Sequence, residues 1–484
     1  MGGDDLIGRV DGLVGSRIEA VIRNHHRRRL RRAGQLARFD PPDDASLYAA
    51  GSPPPRLGNS LDVLIDGAEA LPRLEEALLK ARTTVHIAGW HLTPDFGLRR
   101  DHDALRLRDL LGELAGRLEV RVLLWAGAPV PLFTPTRAAV RHVRDELVRG
   151  TAVRCALDRR ERPLHCHHEK IAIIDGEVAF VGGLDLTALG GDRYDSSAHP
   201  MRDALGWHDV ATRLGGPAVG DVAEHFAGRW REVTGERLEP EASPLARGGG
   251  VVQVVRTIPE RIYKFAPAGD FRILETYTRA LRAARELVYL ESQFLWSPEL
   301  VAILAGKLRN PPSDRFRVVV LLPAHPNNGA DSTHGQLGVL AAADDGNGRF
   351  LAATISSRTG SLTSPLYVHA KVGIVDDRWI TVGSANLNDH SLFNDTEMNV
   401  VSCEPALARE TRLRLWSEHL ETPREALDRE PVQVVDELWR PIAREQLERR
   451  HRGDPPTHRL LELPGVSRRA KALLGPLDGL LVDA

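Results

Sequence analysis

The sequence has no apolar run near the roughly 20 residues that a membrane span needs. It has only three cysteines, Cys155, Cys166 and Cys403. The first absence excludes a transmembrane helix by pattern. The second excludes a disulfide framework, because the set is odd and sparse. A reducing, cytoplasmic location is the expectation, with peripheral binding to the inner face of the membrane left open. A basic excess is also missing: 64 Lys and Arg stand against 66 Asp and Glu, for a net charge of −2. That counts against a dedicated nucleic-acid binder. The opening MGGDDLIGRVDGLVGSRIEAV is acidic first and lacks a compact apolar core, so no secretory signal is expected. No second Cys/His cluster of zinc spacing occurs, and neighbouring side chains of HCHHEK (165–170) would alternate faces on a strand. No metal site is expected.

Within 484 residues, 42% hydrophobic and 27% charged, there is material for two domains or one large duplicated one. The sequence points to the second. HCHHEKIAIID (165–175) carries His168, Lys170 and Asp175; YVHAKVGIVD (367–376) carries His369, Lys371 and Asp376. Around each triplet the same elements recur. The helix-like LPRLEEALLKAR precedes the strand-like TVHIAGW, and ILETYTRALRAAR precedes LVYLESQF. VRVLLWAG and FRVVVLLPAH follow as β-branched, buried-strand patterns. Each triplet then runs into a strand–turn–strand, IAIID-GE-VAFVGG and VGIVD-DR-WITVGS. The reading is α/β: two duplicated lobes of mixed sheets flanked by helices, related by a pseudo-two-fold axis, with the active site at their interface. The expected divisions are 1–59, a basic helix and Pro-rich linker (GSPPPRLGN); 60–240 and 241–425, the lobes; and 426–484, a helical extension packed on the second lobe. The basic stretch within 17–38 reads as a surface helix with a solvated arginine face, or as one drawn to anionic headgroups.

In an extended H-x-K, the two side chains emerge on one face. A neutral imidazole is a base and nucleophile near neutral pH, and an ammonium is a point charge suited to a phosphate oxygen. One such pair alone is usually a core histidine beside a surface lysine. Two copies, converging at a lobe interface, supply an attacking imidazole, an acid on the far side of phosphorus, and two cations for the phosphoryl charge. Ser384 and Asn386 in VGSANLN are placed to donate to phosphate; Asp185 stands where Asn386 does in the other half, and a carboxylate cannot donate. Asp175 and Asp376 read as structural turn residues. Glu397 and Asp209 are the better acceptors for the imidazoles.

HHEK (167–170), GGLDL (182–186), DRYD (192–195), WHDV (207–210), YLESQF (289–294) and GSANLN (383–388) together resemble the phospholipase D superfamily over roughly residues 60–425, and most closely its eukaryotic-type members. The resemblance implies cross-pairing of Glu397 with His168 and of Asp209 with His369, with His168 the nucleophile and His369 the acid. It accommodates Asp185. Glu291, Gln293 and Trp90 are possible pocket residues, with Ser292 standing where Asn is common. Residues 1–59 are too few for the N-terminal lipid-binding module of eukaryotic members, so no cofactor is expected to be required and calcium dependence is left open.

Leu132, Phe133, Phe294, Leu295 and Trp296 could rim the site against acyl chains, or pack as core. The expected function is a phospholipase D that forms a phosphohistidine intermediate, hydrolyses glycerophospholipids at a membrane surface and transfers the phosphatidyl group to alcohols. It would work as a monomer with an internal pseudo-dimer and without nucleic acid. The alternatives are a cardiolipin synthase-like transferase, a nuclease of the same superfamily, and an inactive scaffold. The intact triplets argue against the last.

Overall fold

The computed structural model describes residues 3–100, 105–130, 133–162, 165–239, 244–327 and 330–463. The first lobe contains β1 (Arg56–Ile65), β2 (Thr84–Gly89), β3 (Glu119–Trp125), β4 (Arg154–Asp158), β5 (Ile171–Ile174), β6 (Val178–Gly182), β7 (Gly206–His208) and β8 (Val210–Gly215). Its sheet runs β1-β8-β6-β5-β2-β3-β4, parallel from β2 to β4 and antiparallel elsewhere.

The second lobe contains β9 (Gly250–Ile258), β10 (Asp270–Phe271), β11 (Leu287–Glu291), β12 (Arg317–Leu321), β13 (Phe350–Thr359), β14 (Leu362–Val368), β15 (Val372–Val375), β16 (Trp379–Gly383), β17 (Glu397–Ser402) and β18 (Leu460–Glu462). Its sheet runs β9-β17-β16-β15-β11-β12-β13, with β18 added at the edge. The strand order is that of the first lobe, position by position.

The two sheets bury their inner faces against each other. Val181 and Leu214 share one core with Val382, Met398 and Val400, all nearly inaccessible. Removing a buried leucine such as Leu214 to alanine would cost about 2–5 kcal/mol. The outer faces are covered by helices whose leucines recur at helical spacing. Leu71, Leu74 and Leu78 of Gly67–Leu79 cover the first sheet, and Ile273, Leu274 and Leu281 of Arg272–Ala283 cover the second.

β1 begins at Arg56, inside the segment expected as linker, and belongs to both lobes. Arg56–Asn59 pair with β9; Ser60–Ile65 pair with β8. The register shifts between Leu57 and Asn59, where Gly58 has φ 97° and a Cβ would meet Ala246 at 3.1 Å. A left-handed, crowded position of this kind suits glycine.

The N-terminal helix, Gly3–Arg32, is continuous and is not simply a solvated basic face. His26 stacks on Phe393 with ring centroids 3.9 Å apart, and Arg29 pairs with Glu260 at 2.8 Å while donating to Asn394 Oδ1 at 2.7 Å. The helix is docked by buried side chains that a helical pattern alone cannot reveal. At the other end, Arg440–Arg452 and β18 extend the second lobe, and Trp439 packs against Trp416 and Tyr289. Residues 464–484 of the expected extension lie outside the described residues.

Candidate active site

The lead-in to each histidine is hydrogen-bonded to the opposite lobe. The backbone N–H groups of His369 and Ala370 donate to His208 O at 2.8 and 3.1 Å; those of His168 and Glu169 donate to Thr396 O at 2.9 and 3.1 Å. β14 reaches His369 by pairing in parallel with β7, Val368 opposite His208. Residue 209 follows His208 and residue 397 follows Thr396. The register therefore sets each histidine beside the other lobe's carboxyl: His168 Nδ1 lies 3.0 Å from Glu397 Oε1, and His369 Nδ1 lies 2.6 Å from Asp209 Oδ2. With Nδ1–H directed at the carboxyl, Nε2 is the basic nitrogen of each ring.

His168, His369, Asp185, Gln293, Trp90, Thr134, Asn327 and Trp207 line one pocket of about 250 Å³, together with Leu189, Gly190 and Arg193. Lys170 Nζ donates to the carbonyl of His168 at 2.6 Å, and Lys371 Nζ donates to that of His369. Lys170 also pairs with Asp185 at 3.1 Å. In the second lobe, Gln293 Oε1 accepts from Asn386 Nδ2 at 3.3 Å and from Lys371 at 3.4 Å. One lysine thus carries a carboxylate counter-ion and the other faces amides, so the halves are electrostatically unequal.

Arg193 was quoted above only within DRYD, with no role of its own. Its guanidinium lies over the Trp207 ring, 3.1 Å from the centroid, and is almost wholly buried. Nη2 donates to Leu189 O at 2.6 Å, while Nε and Nη1 have no hydrogen-bond partner. An arginine between two acidic positions, in a segment joining the two motif blocks, was the signal available in sequence.

Burial pushes the Asp209 carboxyl up to about 6 and the Glu397 carboxyl up to about 8, against the nearby lysines. Burial, then Lys371, Arg193, Lys170 and His168, hold the His369 imidazole well below its ordinary 6.5. Both carboxyls are thus shifted upward, Glu397 further than Asp209.

Other expected site residues make other contacts. The Ser384 hydroxyl donates to Glu397, which also accepts from Ser391 at 2.6 Å. Asp185 stays in the pocket lining, where it is the counter-ion of Lys170. Glu291 is beneath the pocket, bridging His208 Nε2 at 2.9 Å and His419 Nε2 at 3.1 Å. Phe294 and Leu295 are fully buried and Trp296 nearly so, because their strand end turns back into the core; they form no rim. Phe133 packs on the Trp90, Trp125 and Cys166 cluster, and Leu132 lies outside the described residues. Asp175 Oδ1 accepts from the backbone of Thr83 and Thr84 at 2.8 and 3.0 Å, and Asp376 Oδ1 accepts from Glu286 and Leu287, both at 2.8 Å. Both aspartates tie a turn to a neighbouring strand.

Sequence spacing also concealed a buried donor set. Asp66, His199, His208 and Glu418, from four separate segments, bring one ligand-type atom each within 4.8 Å of one another. Such a set could hold a cation. As they stand, the residues bond to one another: His208 Nδ1 meets Asp66 at 2.9 Å, and His199 Nε2 meets Glu418 at 2.9 Å. Burial alone would lower His199; the surrounding carboxylates overcome it and raise the imidazole to about 9.

Fold and site together define a duplicated α/β protein with two cross-lobe imidazole–carboxyl pairs at one pocket, each histidine's carbonyl held by a lysine two residues on. Residues 352–449 match the family model for phospholipase D. Phospholipase D A of Dictyostelium discoideum is 25% identical over 76% of this chain and 36% of its own length. Phospholipase D alpha 3 of Arabidopsis thaliana is 24% identical over 75% of this chain and 65% of its own. This chain thus spans about a third to two thirds of these relatives. The crystal structure of a phosphatidylserine synthase from Haemophilus influenzae Rd KW20 shares the fold, with a TM-score of 0.51 at 13% identity, covering 81% of this chain and 94% of that one. The chain is similar to phospholipases D, and the relatives named here are eukaryotic.

Proposed function

We propose that this chain cleaves the distal phosphodiester of glycerophospholipids such as phosphatidylcholine. The products are phosphatidic acid and the free headgroup, and alcohols compete with water as acceptors. The observation that carries this reading is the pair of imidazole–carboxyl dyads, each assembled from both lobes and both facing one pocket. One imidazole Nε2 attacks phosphorus. The other protonates the leaving headgroup oxygen, then takes the proton of the incoming water or alcohol as the phosphohistidine bond breaks. Lys371, Asn386, Lys170 and Arg193 bear on the equatorial oxygens, where charge grows in the transition state. No metal enters these steps.

The pocket is smaller than the 300 Å³ or so at which sites for drug-sized ligands begin. It suits a phosphate and headgroup, with acyl chains left in the bilayer. Among the described residues no helix is long and apolar enough to cross a membrane. We place the protein in the cytoplasm, as a peripheral monomer on the inner membrane face. The resemblance assigns attack to His168, with His369 as the acid.

The reading is tested with mixed phospholipid vesicles and a little ethanol, followed by mass spectrometry. Phosphatidic acid together with phosphatidylethanol is the expected result. Folded protein that forms neither, yet turns over phosphatidylglycerol alone or cleaves DNA, would replace it with lipid-to-lipid transfer or a nuclease.

A further inference from the structure

A second cavity, of about 750 Å³, lies away from the catalytic pocket and collects positive charge from three distant parts of the chain. Arg28, Arg29 and Arg32 come from the N-terminal helix, Arg162 from the segment before the first motif, and Arg261 from the loop after β9. Among the described residues Glu260 is the one carboxylate in the lining, and it is already shared by Arg29 at 2.8 Å and Arg162 at 2.6 Å. Arg28, Arg32 and Arg261 have no carboxylate partner among the described residues. His25, also in the lining, is held below its ordinary value by burial and then by His26, Arg29, Arg162 and Arg32. With the whole chain at −2, this positive charge is local.

We propose that this cleft binds the phosphate headgroup of an anionic membrane phospholipid and so holds the protein on the bilayer. Several guanidinium forks around one space suit a multi-oxygen anion better than a lone carboxylate. Arg261 has φ 68°, a conformation disfavoured for a side chain of its size, so the loop holds it there against local preference. The surroundings favour a lipid over a nucleic acid. Val21 and Pro267 line the cleft, Val21 being 68% exposed, and the loop bearing Arg261 also carries Lys264 and the exposed Phe265. A basic, apolar-tipped edge of this kind suits the bilayer interface. Among the described residues no Phe, Tyr or Trp lines the cleft to stack a base.

The site is also wired to the catalytic pocket. Arg29 donates to Asn394 Oδ1 at 2.7 Å and to Phe393 O at 2.5 Å. In the same turn, Ser391 Oγ donates to Glu397, the partner of His168. A headgroup that draws Arg29 or Arg162 from Glu260 would act on the segment that positions Glu397.

The test is co-sedimentation of the full chain with vesicles of phosphatidylcholine alone and of phosphatidylcholine mixed with phosphatidylserine. The triple variant Arg28→Gln/Arg32→Gln/Arg261→Gln removes only side chains without carboxylate partners. Each basic residue at an anionic surface is worth about a factor of five, so the variant should bind mixed vesicles about a hundredfold more weakly. Its circular dichroism, and its turnover of a monomeric short-chain substrate, should be unchanged. Undiminished binding by the triple variant would overturn the proposal, as would equal binding of the native chain to neutral vesicles. Displacement from vesicles by inorganic phosphate at low concentration would reassign the cleft to a soluble anion, and displacement by single-stranded DNA would reassign it to nucleic acid. Binding is read without turnover, so the result is independent of whether the catalytic reading holds.

Discussion

His369 Nδ1 lies 2.6 Å from Asp209 Oδ2, although 160 residues separate the two and they belong to different lobes. The contact orients the ring and stabilises its charged form. Asp209→Asn keeps the shape and removes the charge, and an amide can present its N–H to Nδ1 and so select the wrong tautomer. The expected loss is about 10³–10⁴-fold in kcat, with Tm and near-UV circular dichroism close to those of the native chain. A loss of less than tenfold would mean that the dyad is only structural.

The roles of the two histidines separate with a phosphodiester whose leaving group needs no proton, such as a p-nitrophenyl ester. If His168 attacks, His369→Ala should still release a burst of p-nitrophenol and accumulate phosphohistidine, whereas His168→Ala should release none. The opposite pattern would give attack to His369. Absence of a burst from both variants would show that the imidazoles act only as a unit.

The pH profile of kcat/KM reports the free protein. Burial raises Asp209 to about 6 and Glu397 to about 8. If the two carboxyls set the proton count of their dyads, one proton is shared between the dyads in the window from about pH 6 to 8. Below it both are protonated and no nucleophile is available; above it both are deprotonated and no acid remains. The profile should be bell-shaped with limbs near these values. Glu397→Gln should displace the basic limb while the acidic limb stays, and a flat profile from pH 5 to 9 would be incompatible with the scheme.

Asp175 tests the structural half of the motif. Burial works against its charge, but the backbone N–H groups of Thr83, Thr84 and Arg82, with the Thr83 hydroxyl, outweigh it and hold the carboxyl below its ordinary 3.8. Asp175→Asn should cost about 1–2 kcal/mol, the value for hydrogen bonds to a charged acceptor reduced for its partial exposure to solvent, with near-normal turnover per folded molecule. A group whose folded pKa is depressed stabilises above its unfolded value and loses that contribution as pH falls through the folded one. The gap in urea midpoint between native and variant chains should therefore close below about pH 4. A gap that persists at pH 2 would point to lost packing.

The duplication was legible because β-branched strands and the H-x-K spacing are local patterns, repeated in order. Gln293 and Asn386 were legible for the same reason, each lying beside a strand end. Other contacts are made by register and were not. Ser384 and Asn386 look alike in VGSANLN, yet Glu397 takes the hydroxyl of one and the amide of the other meets Gln293. Phe294 and Trp296 read equally well as rim or core until the turn after β11 sends them inward. The Asp66, His199, His208 and Glu418 set draws on four segments with no shared spacing, so nothing along the chain announces it. The basic N-terminal helix shows its arginines in sequence, but not that Phe393 and Glu260 would claim two of its side chains.

Because each histidine borrows its carboxyl from the other lobe, neither lobe alone holds a complete dyad. Each dyad is finished only where the lobes meet. A strand slip in one lobe would disarm a histidine in the other, so the seam between the lobes is as much a part of the chemistry as the imidazoles themselves.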